Sequence, residues 1–373
     1  MSKINTKGAW MALIFGHMAG MIDLAALPVW VGTLIGGFGF MPAQAGGLVT
    51  LFLAGVVASS VLLSPIFHKM NGRWMAPLGF WISTLAFLGM SQMTGFPAFA
   101  ILHLIAGLGT GLAISFVHGT MGRTNNPHRV FAMGSFGLGI TAVLFLGIAP
   151  PLIAANGPKT LFYVFVGVMG LAAIISTLLF PNVSRNEDVV AETRKFSKAV
   201  WFVIFAVMLM AMNNAMILSF AERIGIDSGF AVEKVQMALV FMGFMSIVPS
   251  ILAAFFQKRL PALKVAIVGT LLHAVLGLII MGVPGFNAFI IPLVFFPFVM
   301  IFAHTFVFGH LAAIEPTGRA VAATPAMIMT GSATAPLLGG ILVQSVGYNA
   351  LGFTALAIGI ISMLLFIKAK KLA

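Results

Sequence analysis

Cysteine is absent from the chain, which excludes disulfides, thiolate metal centres and thiol nucleophiles. Charge is scarce: Asp, Glu, Lys and Arg make up 8% of the residues, where a soluble domain carries about 25%. The alternating ten-residue strands of an outer-membrane barrel are missing too. So are a phosphate-binding P-loop and any nucleophile–base arrangement. Neither ATP-driven work nor catalysis is expected, and no catalytic residue, cofactor or metal centre is assigned. A chain this poor in polar groups has lipid, not water, as its main solvent.

What fills the sequence is apolar. Hydrophobic residues make up 60% of it, with 41 Gly and 18 Pro, both common in membrane helices because neighbouring helices re-satisfy freed backbone groups. Apolar runs fall near 9–33, 44–66, 74–93, 97–121, 130–154, 159–181, 199–221, 235–256, 263–283, 287–313, 320–343 and 348–368. Each is close to the length of about 20 residues that crosses a bilayer. The first run is too long for a signal-peptide core and lacks a small-residue cleavage site, so it reads as a membrane helix.

A net charge of +12 is common in nucleic-acid binders, but its distribution here points elsewhere. With the N-terminus inside, the loops place Lys and Arg 17 to 3 on the cytoplasmic side; only Lys159, Arg223 and Lys234 fall outside. That asymmetry reports topology and contact with anionic lipid. Both termini are therefore expected in the cytoplasm, with the chain a monomer in a bacterial inner membrane.

The two halves repeat. Phe116-Val-His-Gly119 aligns with Phe306-Val-Phe-Gly309, Arg129 with Arg319 and Gly157 with Gly347, each 190 positions apart. Lys7-Gly-Ala-Trp10 resembles Lys198-Ala-Val-Trp201 at 191. The expectation is an all-α polytopic membrane protein of 12 helices in two pseudo-symmetric six-helix bundles, 1–181 and 199–373, joined by a polar cytoplasmic linker, 182–198. Substrate would bind at mid-membrane between bundles that rock to expose it alternately.

Over its whole length the chain resembles the major facilitator superfamily. Ser64-Pro-Ile-Phe-His-Lys-Met-Asn-Gly-Arg73 looks like the family's signature loop after the second span. His68 stands where Asp is usual, while Lys69 and Arg73 keep basic positions. The resemblance implies an altered cytoplasmic latch of His68, Lys69 and Arg73, with Glu315 and Arg319 in the pseudo-equivalent place. His103-Leu-Ile-Ala-Gly-Leu-Gly109 is similar to the Arg-x-x-x-Gly-x-Gly pattern of the drug/proton antiporters, with His103 in the arginine position. Gly331-Ser-Ala-Thr-Ala-Pro-Leu-Leu-Gly-Gly340 matches the antiporter Gly-x-x-x-Gly-Pro-x-x-Gly-Gly spacing, but in the eleventh span rather than the fifth.

Asp23 is the most informative residue. A carboxylate near the middle of the first span costs about 2.5–3.5 kcal/mol on insertion scales and is functional by default. It is the one acidic residue the sequence places deep, since Glu222 and Glu315 lie near helix ends. Gly16, Leu27 and Trp30 share its face on a continuous helix. His17, His103, His118 and His304 also fall within spans, where imidazole can relay protons or receive an anion; the alternative is a neutral ring bonded to backbone at a helix contact. Asn213 and Asn214 mirror Asp23 through the repeat and suit either a polar substrate group or interhelical bonding. Glycine clusters such as Gly107, Gly109 and Gly111 read as close helix packing.

The reading is a proton-coupled secondary transporter of a small amphiphilic or aromatic organic solute, with efflux favoured by the resemblance. Few deep polar groups and 35 Phe argue against a sugar. Two alternatives stay open. One is uptake of an organic anion. The other is uptake of Cu(I) through Met and His, such as His17, Met21, Met208, Met212 and Met216, soft ligands that would suit that ion.

Overall fold

The computed structural model describes residues 3–63, 70–182, 196–256, 259–315, 320 and 324–372. Among them every regular element is helical. The first span is two helices, α1 (Lys7–Gly20) and α2 (Asp23–Gly36). Then come α3 (Pro42–Leu63), α4 (Gly72–Gln92), α5 (Phe96–Met121), α6 (Pro127–Asn156), α7 (Thr160–Leu179) and α8 (Lys198–Asp227). The eighth span is again broken, into α9 (Val232–Met245) and α10 (Val248–Phe256), and α11 (Ala262–Gly282), α12 (Phe286–Ile314), α13 (Thr324–Ser345) and α14 (Tyr348–Leu372) complete the chain. Eleven spans among the described residues are long and apolar enough to cross a membrane. The remaining predicted one, 235–256, is the α9–α10 pair, whose members have 14 and 9 residues.

Local chemistry sets the helix ends. Thr6, Asn71, Asn126 and Ser197 each accept a bond from an amide of the helix they precede, with distances of 3.0–3.3 Å, and so satisfy N–H groups that have no partner within the helix. At the other end of the spans the turns rest on glycine. Six glycines have positive φ, and they form three pairs: Gly39 and Gly229, Gly95 and Gly285, Gly157 and Gly347. Every pair is 190 positions apart, so the repeat seen in the sequence is also a repeat of backbone conformation.

Contacts divide the chain into two compact units, Met1–Ala26 with Leu48–Glu192 and Leu27–Gly47 with Thr193–Ala373. The first span is thus shared: α1 belongs to the first unit, and α2 from Leu27 onward packs in the second. Between helices in lipid there is little hydrophobic drive, so packing relies on close approach and interhelical bonds. In the first unit a side chain at Gly107 of α5 would run into the Phe52 carbonyl of α3. Ser83 of α4 bonds to the Ala106 carbonyl at 2.9 Å and to the Thr110 hydroxyl at 2.9 Å, both on α5. Phe87, Phe145 and Phe165 stack nearby, with Phe87 and Phe165 centroids 4.8 Å apart.

The second unit is built alike. Ser362 of α14 donates to the Ala206 carbonyl of α8 at 2.8 Å. Val203, Val207, Val307 and Phe366 form its buried centre. Gly331 of α13 lies on the backbone of Met208 in α8, and Gly339 lies on the ring of Phe220. The glycine spacing of the eleventh span therefore serves the α8–α13 contact.

Candidate functional site

Asp23 is the first residue of α2, immediately after the break at Met21 and Ile22. The broken span runs Lys7–Gly36, 30 residues, and the carboxylate lies close to its middle. Asp23 is 2% exposed. Both carboxylate oxygens are buried, and no side chain among the described residues bonds to them. The break arises because the Met21 amide still bonds back to the His17 carbonyl, at 3.1 Å, while Ile22 reaches only Ala19, at 3.4 Å. A new helix then starts at residue 23. The break also alters the predicted face. Leu27 and Trp30 follow Asp23 on α2, both buried, whereas Gly16 sits on α1 beyond the break and packs on Val117 and Phe80.

His17 and His118 come together within the first unit. His17 Nδ1 is 2.9 Å from His118 Nε2, so one nitrogen donates and the other accepts. Phe131 of α6 lies 5.5 Å from the His118 ring and meets His17 edge-on at 6.3 Å. A side chain at Gly134 would press on the His17 ring at 2.9 Å. His103 is placed differently. It is fully buried, its Nδ1 is 2.8 Å from the Phe99 carbonyl one turn earlier, and Phe162 of α7 meets its ring edge-on. That is the backbone-bonded helix contact named above as the alternative.

In the second unit Asn214 Oδ1 is 3.4 Å from His273 Nε2 of α11, and His273 stacks on Phe296 of α12 with centroids 3.9 Å apart. Asn213 is buried, with its Oδ1 unbonded. His304 is partly buried, 4.9 Å from Phe308.

Of the latch residues, Arg73 Nη1 donates to the Ser176 and Thr177 carbonyls at 3.2 and 2.7 Å, which caps the C-terminal end of α7. Glu315 follows α12 and accepts from the Ala320 amide at 3.2 Å. His68, Lys69 and Arg319 lie outside the described residues, as does most of the 182–198 linker. Among the described residues no three His, Cys, Asp or Glu gather in a way that could hold a metal ion.

The family model for the Major Facilitator Superfamily matches residues 13–316. The chain belongs to that superfamily. It is a multi-pass membrane protein and a transporter by family. The crystal structure of the nucleoside transporter NupG is similar in fold: TM-score 0.71 and 15% identity over 98% of this chain and 99% of that one. A single-residue mutant of the same transporter gives TM-score 0.70 and 15% identity over 97% and 99%. At that identity the likeness speaks for the fold. The search of curated proteins found no match.

Two polar groups of this superfamily member escaped the sequence reading. Glu222 was set aside as a helix-end residue, yet α8 continues to Asp227 and buries it at 8% exposure. The signal was present: Phe220-Ala221 before it and Ile224-Gly225 after it keep the apolar character of the span. His273 lies within the predicted run 263–283, but nothing in sequence spacing relates α11 to α8 and so pairs it with Asn214.

Proposed function

We propose that this protein is a secondary active transporter of a small organic solute, amphiphilic or aromatic, coupled to protons through Asp23. The observation that carries the reading is the Asp23 carboxylate, buried near the middle of a broken first span without a side-chain partner. Buried ionisable groups are kept in membrane spans where they bind or move something, and breaks in membrane helices are where transporters build such sites. The solute class follows from a short deep polar inventory beside abundant Phe. His17, His118, Trp30, Asn213, Asn214 and His304 are the further candidates for solute and proton contact. Two six-helix bundles, 1–181 and 199–373, working by alternating access supply the cycle, with both termini cytoplasmic, and export is the favoured direction.

The test has two stages. Purified protein is screened by thermal shift against amphiphilic aromatic compounds, nucleosides, sugars, organic anions and Cu(I), since a bound ligand raises the melting temperature by mass action. Nucleosides belong in the panel because a solved nucleoside transporter shares the fold. The best ligand is then followed into proteoliposomes with and without a pH gradient. Stabilisation by aromatic solutes and gradient-driven accumulation support the reading. Stabilisation confined to sugars, organic anions or Cu(I) overturns the solute class, and accumulation indifferent to the gradient overturns the coupling.

A further inference from the structure

Among the described residues Glu222 is, with Asp23, one of two buried carboxylates, and its surroundings differ from those of Asp23. Its Oε2 is buried without a hydrogen bond. The space it occupies is that of an absent side chain: a Cβ at Gly32 of α2 would collide with the Glu222 carboxyl group. One turn along, Gly36 admits Arg223 in the same way, with Nη1 3.1 Å from where a Cβ would stand. So α2 presents Gly32-Thr-Leu-Ile-Gly36 to two consecutive residues of α8, all within the second compact unit. Gly32 and Glu222 are themselves 190 positions apart, the separation that relates the two halves.

Arg223 is the nearest cation, and it is already engaged. Its Nε and Nη2 bond to the two carboxylate oxygens of Asp227 at 3.0 and 2.7 Å. The Tyr348 hydroxyl of α14 donates to Asp227 at 2.7 Å. The hydrogen bonds of Arg223 therefore go to Asp227, and although its charge acts on the neighbouring Glu222, the Glu222 Oε2 is left without a donor. The other titratable groups on elements packed around α8 at this end are Glu233 and Lys234 of α9, both exposed, with Lys234 lying over the Phe286 ring of α12. Further in are His273 of α11, bonded to Asn214, and Asp23 at the start of α2, more than two turns from Gly32. The described part of α13 carries no charged or titratable residue.

An ionised carboxylate buried without a partner is far more costly than a neutral carboxylic acid. The glycine face of α2 can close on Glu222 as a carboxylic acid, but not readily as an anion. We propose that Glu222 is a proton-binding site that holds α2 against α8 while protonated and releases it on ionisation. In the step, the O–H bond of Glu222 breaks, its proton passes to water at the glycine-turn end of the unit, and the carboxylate follows into water as α2 moves off.

The absence of cysteine makes the test direct. Spin labels on Met41→Cys and Ser228→Cys, both exposed positions of the second unit, report the α2–α8 separation by pulsed electron paramagnetic resonance in lipid nanodiscs. No solute is added, so the result stands whether or not transport is coupled through Asp23. The distance in the otherwise unaltered protein is expected to be short in acid and to lengthen as the pH rises. Glu222→Gln keeps it short throughout, Gly32→Ala keeps it long throughout, and Asp23→Asn leaves the pH response in place. A distance indifferent to pH, or a Glu222→Gln response equal to that of the unaltered protein, overturns the proposal. Should Glu222→Gln fail to fold, the protein labelled with isotopic glutamate decides by infrared spectroscopy. A protonated glutamic acid C=O band that disappears as the distance lengthens supports the site; no such band in acid sinks it.

Discussion

Gly157 and Gly347, 190 positions apart, share a positive φ, 87° and 99°. Gly157 has ψ 170°, a region open in practice only to glycine, where other residues are strained by about 1–3 kcal/mol. Gly157→Ala is therefore expected to lower stability by about that amount, read as a fall in melting temperature in detergent. Gly167 is a fair control. It sits mid-helix in α7, exposed, with nothing near its missing Cβ, so Gly167→Ala should be neutral or stabilising by about 0.5–1 kcal/mol.

The His17–His118 contact makes a second prediction. Two imidazoles 2.9 Å apart share one N–H, so removing either ring leaves the other with an unmet nitrogen. Each single alanine variant should lose about 1–3 kcal/mol. The double variant should cost less than the two together, with a coupling of about 0.5–3 kcal/mol. Additive losses in a double-mutant cycle of thermal unfolding would show that the rings contribute only their packing against Phe131.

Arg73 carries a third. Its bonds to the Ser176 and Thr177 carbonyls place a cation at the C-terminal end of α7, where carbonyls lack partners and the helix dipole favours positive charge. At this partly exposed site Arg73→Ala should cost about 1 kcal/mol, and Arg73→Lys less. If the loop after the second span also acts as a latch, Arg73→Ala will change the transport rate more than Arg73→Lys does. Equal rates for both variants would confine Arg73 to capping α7.

The span pattern was legible because lipid imposes a hard rule: each helix must stay apolar for the width of the bilayer. The predicted run 97–121 became Phe96–Met121, and 348–368 became Tyr348–Leu372. One longer overrun has a clear cause. The eighth residue of the 220–227 stretch, Asp227, is charged, yet α8 reaches it because Arg223 pairs with it one turn back. Charge bonded within a helix end does not stop the helix. The break at Met21–Ile22 was not legible, since Gly20 before it is one of several glycines in an apolar run, whereas the break at Ser246–Ile247 had a signal in Pro249, whose ring cannot pack against the carbonyl four residues back, that of Met245, the last residue of α9. Asp23 stood out as a lone acid in an apolar run. The His17–His118 and His273–Asn214 contacts could not, because each joins residues whose proximity depends on how separate helices pack, a matter settled by close approaches such as Gly107 on Phe52.

The Asp23 carboxylate yields the last prediction. Asp23→Asn keeps the size of the side chain and its ability to hydrogen-bond but removes the exchangeable acid. Packing around residue 23 should survive, because the buried atoms around α2 are not displaced, and melting temperature should change little. Solute binding, read by thermal shift, should persist. Accumulation against a gradient should fail, since the cycle loses the group that takes a proton on one side and yields it on the other, while exchange of solute for solute continues. Proteoliposomes loaded with solute and diluted into buffer of matched or shifted pH measure both processes in one preparation. Accumulation by Asp23→Asn at the rate of the unaltered protein would remove Asp23 from the coupling. Loss of exchange and accumulation together, with binding intact, would instead assign Asp23 to the movement of the first span about its break.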